Sequence, residues 1–198
     1  MKSDQGISAA PGSRRGTGEL ETRLFARVLD RDRAAFEELY RLYHPRLTRF
    51  LLHLIRRPTL VEEVLNDTML VVWNRADSFN GASKLSTWVF AIAYRKAMKG
   101  VRRADDPVED RESDARVSTA PGPEELSAQH RLHALLVRAM DELSPAHRAV
   151  IDLTYFHELG YREIATILDC PVDTVKTRMF HARRHLKKRL AGDLADWI

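Results

Sequence analysis

The chain has 198 residues, 44% hydrophobic and 30% charged, with a net charge of +4, enough apolar surface for one domain or two small cores. A single cysteine, Cys170, excludes an internal disulfide framework and a Cys-rich zinc site. No run of about 18 apolar residues is present, so nothing is expected to span a membrane.

Residues 1–19 are rich in Ser, Gly, Ala and Pro without periodicity, and are expected to form a disordered tail. Lys2, Arg14 and Arg15 are not followed by an apolar core, so no secretory signal is expected and a cytoplasmic location is. From Leu20 the spacing turns helical, with Leu24, Phe25, Val28 and Leu29 on one side, then Phe36, Leu39, Tyr40 and Tyr43. Pro45 permits a bend, Leu47, Leu51, Leu54 and Ile55 continue the stripe, and Pro58 ends it. Thr59 and Glu62 have capping-box spacing for the next helix, whose core face is Val61, Val64, Leu65, Thr68, Val71 and Val72. A polar loop over 77–83 follows. Ser86 or Thr87 can cap a further helix that buries Trp88, Val89, Ile92 and Ala93, while Arg95, Lys99, Arg102 and Arg103 form a basic stripe with Lys96 beside it.

Composition then changes. Residues 105–114 hold six carboxylates against one arginine, and VSTAPGP follows shortly after. Such a segment cannot bury enough apolar surface to offset its ordering entropy, so 105–124 is predicted to be a flexible linker. Helical spacing resumes at Leu126 with Leu132, Leu135, Leu136, Ala139 and Met140. Ser144-Pro145 then supplies a cap and first-turn residue for a helix with Val150, Ile151, Thr154 and Tyr155 inside. The stretch YREIATILDCPVDTVKTRMFHARRHLKKRL, 161–190, reads as a short helix, a turn at Asp169-Cys170-Pro171 and a longer helix. In the longer one Val175, Met179, Ala182, Leu186 and Leu190 form the apolar stripe, and no carboxylate occurs from Thr174 to Leu190. That division, one face for packing and one for the major groove, is what a helix–turn–helix needs. The predicted fold is all-α: two small helical domains joined by a flexible acidic linker, the second containing the helix–turn–helix.

These segments together resemble the extracytoplasmic-function class of bacterial RNA polymerase sigma factors. AFEELYRLYHPRLTRFL, 35–51, resembles the opening helix of the family's promoter-melting domain. VEEVLNDTMLVVWNRADSF, 61–79, resembles its polymerase-binding helix, and KLSTWVFAIAYRKAMKGVRR, 84–103, the segment that engages the minus-ten element. Residues 143–190 are similar to the family's second domain over nearly their whole length. Leu85, Gly160 and Tyr94 depart from common family residues. The resemblance implies a region 2 domain over 20–104, the linker over 105–124 and a region 4 domain, which reads the minus-35 element, over 125–198.

Several roles follow as expectations. On the recognition helix, Asp173, Thr174, Lys176, Thr177, Arg178 and His181 point away from the stripe and can reach base edges. Arg183, Arg184, Lys187 and Lys188, farther along, can meet phosphates. Asp173 can equally serve the helix dipole. The resemblance makes Asn80, Ser83 and Lys84 candidates for a pocket around a flipped minus-ten base, with Arg95, Lys96, Lys99 and Arg102 holding phosphates. Asn80-Gly81 can also be an ordinary turn, and Trp88 a core residue. Asp67, Leu70, Val71, Trp73 and Asn74 lie on the helix that family members set against the polymerase β′ clamp helices, although Trp73 can instead pack inside the domain. Implied partners are core RNA polymerase (β′ clamp helices and β flap), promoter DNA and an anti-sigma factor. No catalytic residue, metal or cofactor is expected: His157-Glu158 opens like a zinc-protease motif, but Tyr161 stands where the second histidine belongs. The competing reading is a stand-alone helix–turn–helix regulator that binds its promoter without polymerase.

Overall fold

A computed structural model describes residues 12–55, 57–104 and 128–195. The described residues form helices α1 (Gly12–Leu29), α2 (Arg33–Ile55) and α3 (Pro58–Asn74), a 3₁₀ turn (Ala76–Ser78), and α4 (Leu85–Ala104). Farther along come α5 (Ala128–Asp141), α6 (Pro145–Tyr155), α7 (Tyr161–Leu168) and α8 (Val172–Ala195), and no strand occurs among the described residues. The first unit packs α2 against α1, α3 and α4. The second packs α8 against α5, α6 and α7.

Local chemistry sets most helix ends. The Asp32 carboxylate accepts from the Ala34 and Ala35 amides at 2.9 and 3.2 Å, capping α2. The Ala35 amide first and then the Arg27 guanidinium hold the Asp32 pKa below its ordinary 3.8, against a smaller opposing effect of desolvation. Pro45 leaves α2 unbroken, with its ring on the exposed side. Ser144 caps α6 by accepting from the His147 amide, and Pro145 takes the first helical position. Asp169 ends α7 at φ 49°, a left-handed conformation that Asp tolerates better than most side chains.

Several sequence expectations need correction. Residues 12–19 continue α1 rather than forming a tail, because turns added to a packed helix carry no nucleation cost; 1–11 lie outside the described residues. The cap of α3 is Arg57 with Pro58 in the first turn, not Thr59, since the proline φ is already helical there. Helix α4 starts at Leu85, so Ser86 and Thr87 are buried in its first turn. Tyr155 is placed outside rather than in the core, at 55% exposure. The expected linker, 105–124, lies outside the described residues.

The two units do not stand apart. α6 packs on α2 and α7 packs on α4. Phe90 of α4 is fully enclosed, its ring 5.3 Å from Phe50 of α2 and 4.7 Å from the His157 imidazole of the second unit. Truncating it removes a ring that nothing can replace: Phe90→Ala should cost about 3–5 kcal/mol in urea unfolding. An unchanged midpoint would show that this ring is not central to the core.

Candidate nucleic-acid interface

Helix α8 divides as its spacing demands. Val175, Met179 and Ala182 are buried, while Leu186 and Leu190 are half-buried farther along. On the other side Lys176, Thr177, His181, Arg183, Arg184, Lys187 and Lys188 are placed, most of them well exposed. Asp173 is ion-paired to Lys176 at 2.9 Å, and Thr174 lies beside it in the first turn. Arg183 leans back on Tyr155, donating to its hydroxyl at 3.0 Å with the guanidinium over the ring. The Arg178 guanidinium is 3.6 Å from the Cys170 sulfur. His147 lies beside this cationic face, and burial together with Arg178, His181 and His185 lowers its pKa. Phe180, 62% exposed beside His181, belongs to the same face. An exposed aromatic on a reading face can contact a thymine methyl. Spacing alone does not reveal it, because Phe180 is apolar and yet off the buried stripe.

The loop before α4 rests on three rings. Phe79 lies 5.3 Å from Phe25 and 5.4 Å from Trp88, and Phe25 and Trp88 are 5.9 Å apart. Trp88 is therefore a packing residue at the base of the loop. Above it the side-chain Oδ1 of Asn80 accepts from the Ala82 amide at 3.0 Å, and Gly81 has φ +72°, so this dipeptide does make a turn. Ser83 is half-buried and Lys84 extends from the loop. Arg95, Lys99 and Arg102 are exposed along α4, whereas Lys96 is paired with Asp67 of α3 at 2.8 Å. The expected phosphate track and the expected polymerase-binding helix thus meet through that pair.

On α3, Leu70 is 54% exposed and Asn74 is exposed. Val71 and Trp73 are half-buried. The Trp73 ring sits 5.0 Å from Phe36, under the Arg31 guanidinium, and Arg31 also donates to the Trp73 carbonyl at 2.8 Å. Trp73 is thus partly committed to the domain, leaving Leu70 the most exposed apolar group on this helix. No cluster of three or more His, Cys, Asp or Glu among the described residues is placed to hold a metal ion. No described helix is long and apolar enough to cross a membrane.

The seam between the units centres on Asp152 of α6, 1% exposed. Its carboxylate meets Nδ1 of His53, on α2, at 2.5 Å, and Nε2 of His157 at 3.3 Å. Burial works to raise its pKa, but the two imidazoles outweigh burial and hold it below the ordinary 3.8. Arg148 donates to the His53 carbonyl at 3.2 Å, near the negative end of α2. Lys84 pairs with Glu163 of α7 at 2.9 Å, and a groove of about 710 Å³ runs along the seam.

Comparison with known proteins places this arrangement. The family description "Sigma-70 region 2" matches residues 39–106 and "Sigma-70, region 4" matches 133–186. The ECF RNA polymerase sigma factor RpoE of Cereibacter sphaeroides is 30% identical over 162 residues, covering 81% of this chain and 89% of its own. The RNA polymerase sigma-H factor of Pseudomonas aeruginosa is 27% identical over 184 residues, 88% of this chain and 95% of its own. Among solved structures, CnrH in complex with the cytosolic domain of CnrY is similar in fold, with TM-score 0.65, 23% identity, and coverage of 88% of this chain and 99% of that one. The sigma factor RpoE in complex with the anti-sigma factor NepR from Bartonella quintana gives TM-score 0.61 at 26% identity, covering 79% of this chain and 96% of that one.

The depressed Asp152 pKa fixes a sign. The folded carboxylate binds protons less readily than the unfolded one, so its stabilisation is present above 3.8 and is lost as pH falls through the lower folded value. In urea titrations from mildly acidic pH down through that range, Asp152→Asn should lose stability less steeply than the unaltered chain. Parallel acid limbs would contradict the pairing.

Proposed function

The chain belongs to the extracytoplasmic-function class of RNA polymerase sigma factors, and from that premise we propose which surfaces carry out its work. Such a factor directs core polymerase to promoters and promotes melting, while the polymerase performs the chemistry; the chain itself is not an enzyme. It acts where the polymerase acts, in the cytoplasm. Region 2 corresponds to 20–104 and region 4 to 125–198, with 105–124 as the connection.

The observation that carries the DNA assignment is the exposed cationic side of α8 set over its buried stripe. Asp173, Thr174, Lys176, Thr177, Arg178 and His181 read bases of the minus-35 element, joined by Phe180. Arg183, Arg184, Lys187 and Lys188 hold phosphates and fix the register. In region 2, Asn80, Ser83 and Lys84 border the site of a minus-ten base drawn out of the stack, and Arg95, Lys96, Lys99 and Arg102 follow the backbone. The side-chain Oδ1 of Asn80 is engaged by the turn, which leaves its Nδ2 as the donor toward that base.

Asp67, Leu70, Val71, Trp73 and Asn74 form the polymerase face toward the β′ clamp helices, with Leu70 as the exposed anchor, and region 4 meets the β flap. An anti-sigma factor is the expected regulator, by analogy with the Bartonella quintana complex.

Run-off transcription with purified core polymerase tests the assignment. The chain should yield promoter-dependent transcripts; none at all, or tight promoter binding without polymerase, would contradict it. Arg178→Ala should weaken binding of the upstream element by about 1–3 kcal/mol and relax its sequence preference. Leu70→Ala should weaken capture of core enzyme several-fold while leaving the fold intact. Normal capture would clear Leu70 of the role.

A further inference from the structure

Helix α8 packs on α6, and its Ala182 is fully buried. The residues on either side of Ala182 meet opposite ends of α6. His181 lies against His147, in the first turn of α6, with ring centroids 6.5 Å apart. Arg183 meets Tyr155, the last residue of α6, about 12 Å farther along that helix at about 1.5 Å per residue. The recognition helix is therefore braced on α6 through both of these side chains.

The two braces differ in chemistry, and the one at Arg183 bears on DNA. The Arg183 guanidinium carbon sits over the Tyr155 ring, 5.6 Å from its centre, and Nε donates to the hydroxyl at 3.0 Å. A guanidinium carries five N–H donors in a fixed fork. The phenol takes the one on Nε, which leaves the terminal nitrogens as the edge that grips a phosphate in bidentate fashion. The partner is a phenol and not a carboxylate, so the positive charge is not offset. Lys84, Lys176 and Arg189 are held differently, by Glu163, Asp173 and Glu142. Arg183 is fixed in place without being neutralised.

We propose that Tyr155 is a positioning residue for DNA binding: it holds the Arg183 guanidinium at the α8 surface with its terminal edge presented to a phosphate beside the minus-35 element. The inference rests on the reading of α8 as the recognition helix and deepens it. An arginine that meets a phosphate from free solution gives up rotamer freedom as it binds. One already held at Nε and by the plane of its fork gives up less, and the difference appears as affinity. The same contact accounts for the place of Tyr155, which is 55% exposed although helical spacing puts it inward. Its ring serves the neighbouring helix at the surface and not the core.

The test uses core polymerase carrying the full-length chain, and as probe a duplex that the unaltered holoenzyme selects from a random pool, titrated at several salt concentrations. Arg183→Ala should weaken binding several-fold and lower the salt slope by about one, the loss of a single phosphate contact. Tyr155→Ala should also weaken it several-fold, yet add nothing on top of Arg183→Ala, because Tyr155 acts only through that side chain. Tyr155→Phe keeps the ring without the acceptor and should recover part of the loss. Base preference should not change in any of them, since phosphate contacts carry no sequence information. A loss from Tyr155→Ala that is equal in both backgrounds would overturn the proposal, as would no loss at all. The brace is also read without DNA: by NMR relaxation the Arg183 Nε–H of the free chain should be as rigid as the backbone, and mobile in Tyr155→Ala. A mobile Nε–H in the unaltered chain overturns the proposal whatever the duplex result. A rigid one in a chain that selects no duplex defeats the sigma-factor reading, and the DNA role of the pair with it.

Discussion

Through Tyr94, helix α4 has almost no side to give to water. Val89, Phe90, Ala91, Ile92, Ala93, Tyr94 and Ala97 are all buried, which one amphipathic contact cannot achieve. Helices α2 and α3 cover one side and α7 covers the other. The constraint is therefore shared: α4 is a core helix for region 2 and the wall on which region 4 docks. Part of the polar seam is arranged around it. His157 packs on Phe90, and Lys84, just ahead of the helix, pairs across to Glu163.

That wall divides the cations by their surroundings. Those on the C-terminal half of α4 and along α8 stay at the surface and have few protein carboxylates to neutralise them. Those near the seam, Lys84 and Arg178, have protein partners. Surface ion pairs such as Lys84–Glu163 contribute about 0–1 kcal/mol each, so they can be exchanged for phosphates at little cost. The enclosed Asp152 differs, because separating it from one imidazole without water arriving would be strongly unfavourable. The seam is thus weak at its rim and stringent at its centre, which suits a contact that opens as a unit.

Much of this is legible in the sequence because it is local. The Ser144-Pro145 start of α6, the turn at Asp169-Cys170-Pro171 and the stripe of α8 each depend on a few neighbouring residues, and the structure has them where the spacing puts them. The order of the segments carries the family. The docking is not legible, since no periodicity reports which distant helix covers a face. One signal is present, however: residues 88–94 read WVFAIAY, apolar all round, where a helix with one buried side would alternate. Thr59 misleads because it has capping-box spacing, yet the proline before it is already set for a first turn. Phe180 escapes because exposure of a single apolar residue has no sequence signature.

For one polypeptide to read two distant promoter elements, its units must part on the polymerase. The most direct measurement is the distance between them, by energy transfer between dyes on Arg41→Cys and Thr166→Cys in a Cys170→Ser background, before and after adding core enzyme and promoter. The account predicts high transfer in the free chain and a collapse of transfer in the transcribing complex. Undiminished transfer in a complex that makes transcripts would contradict it.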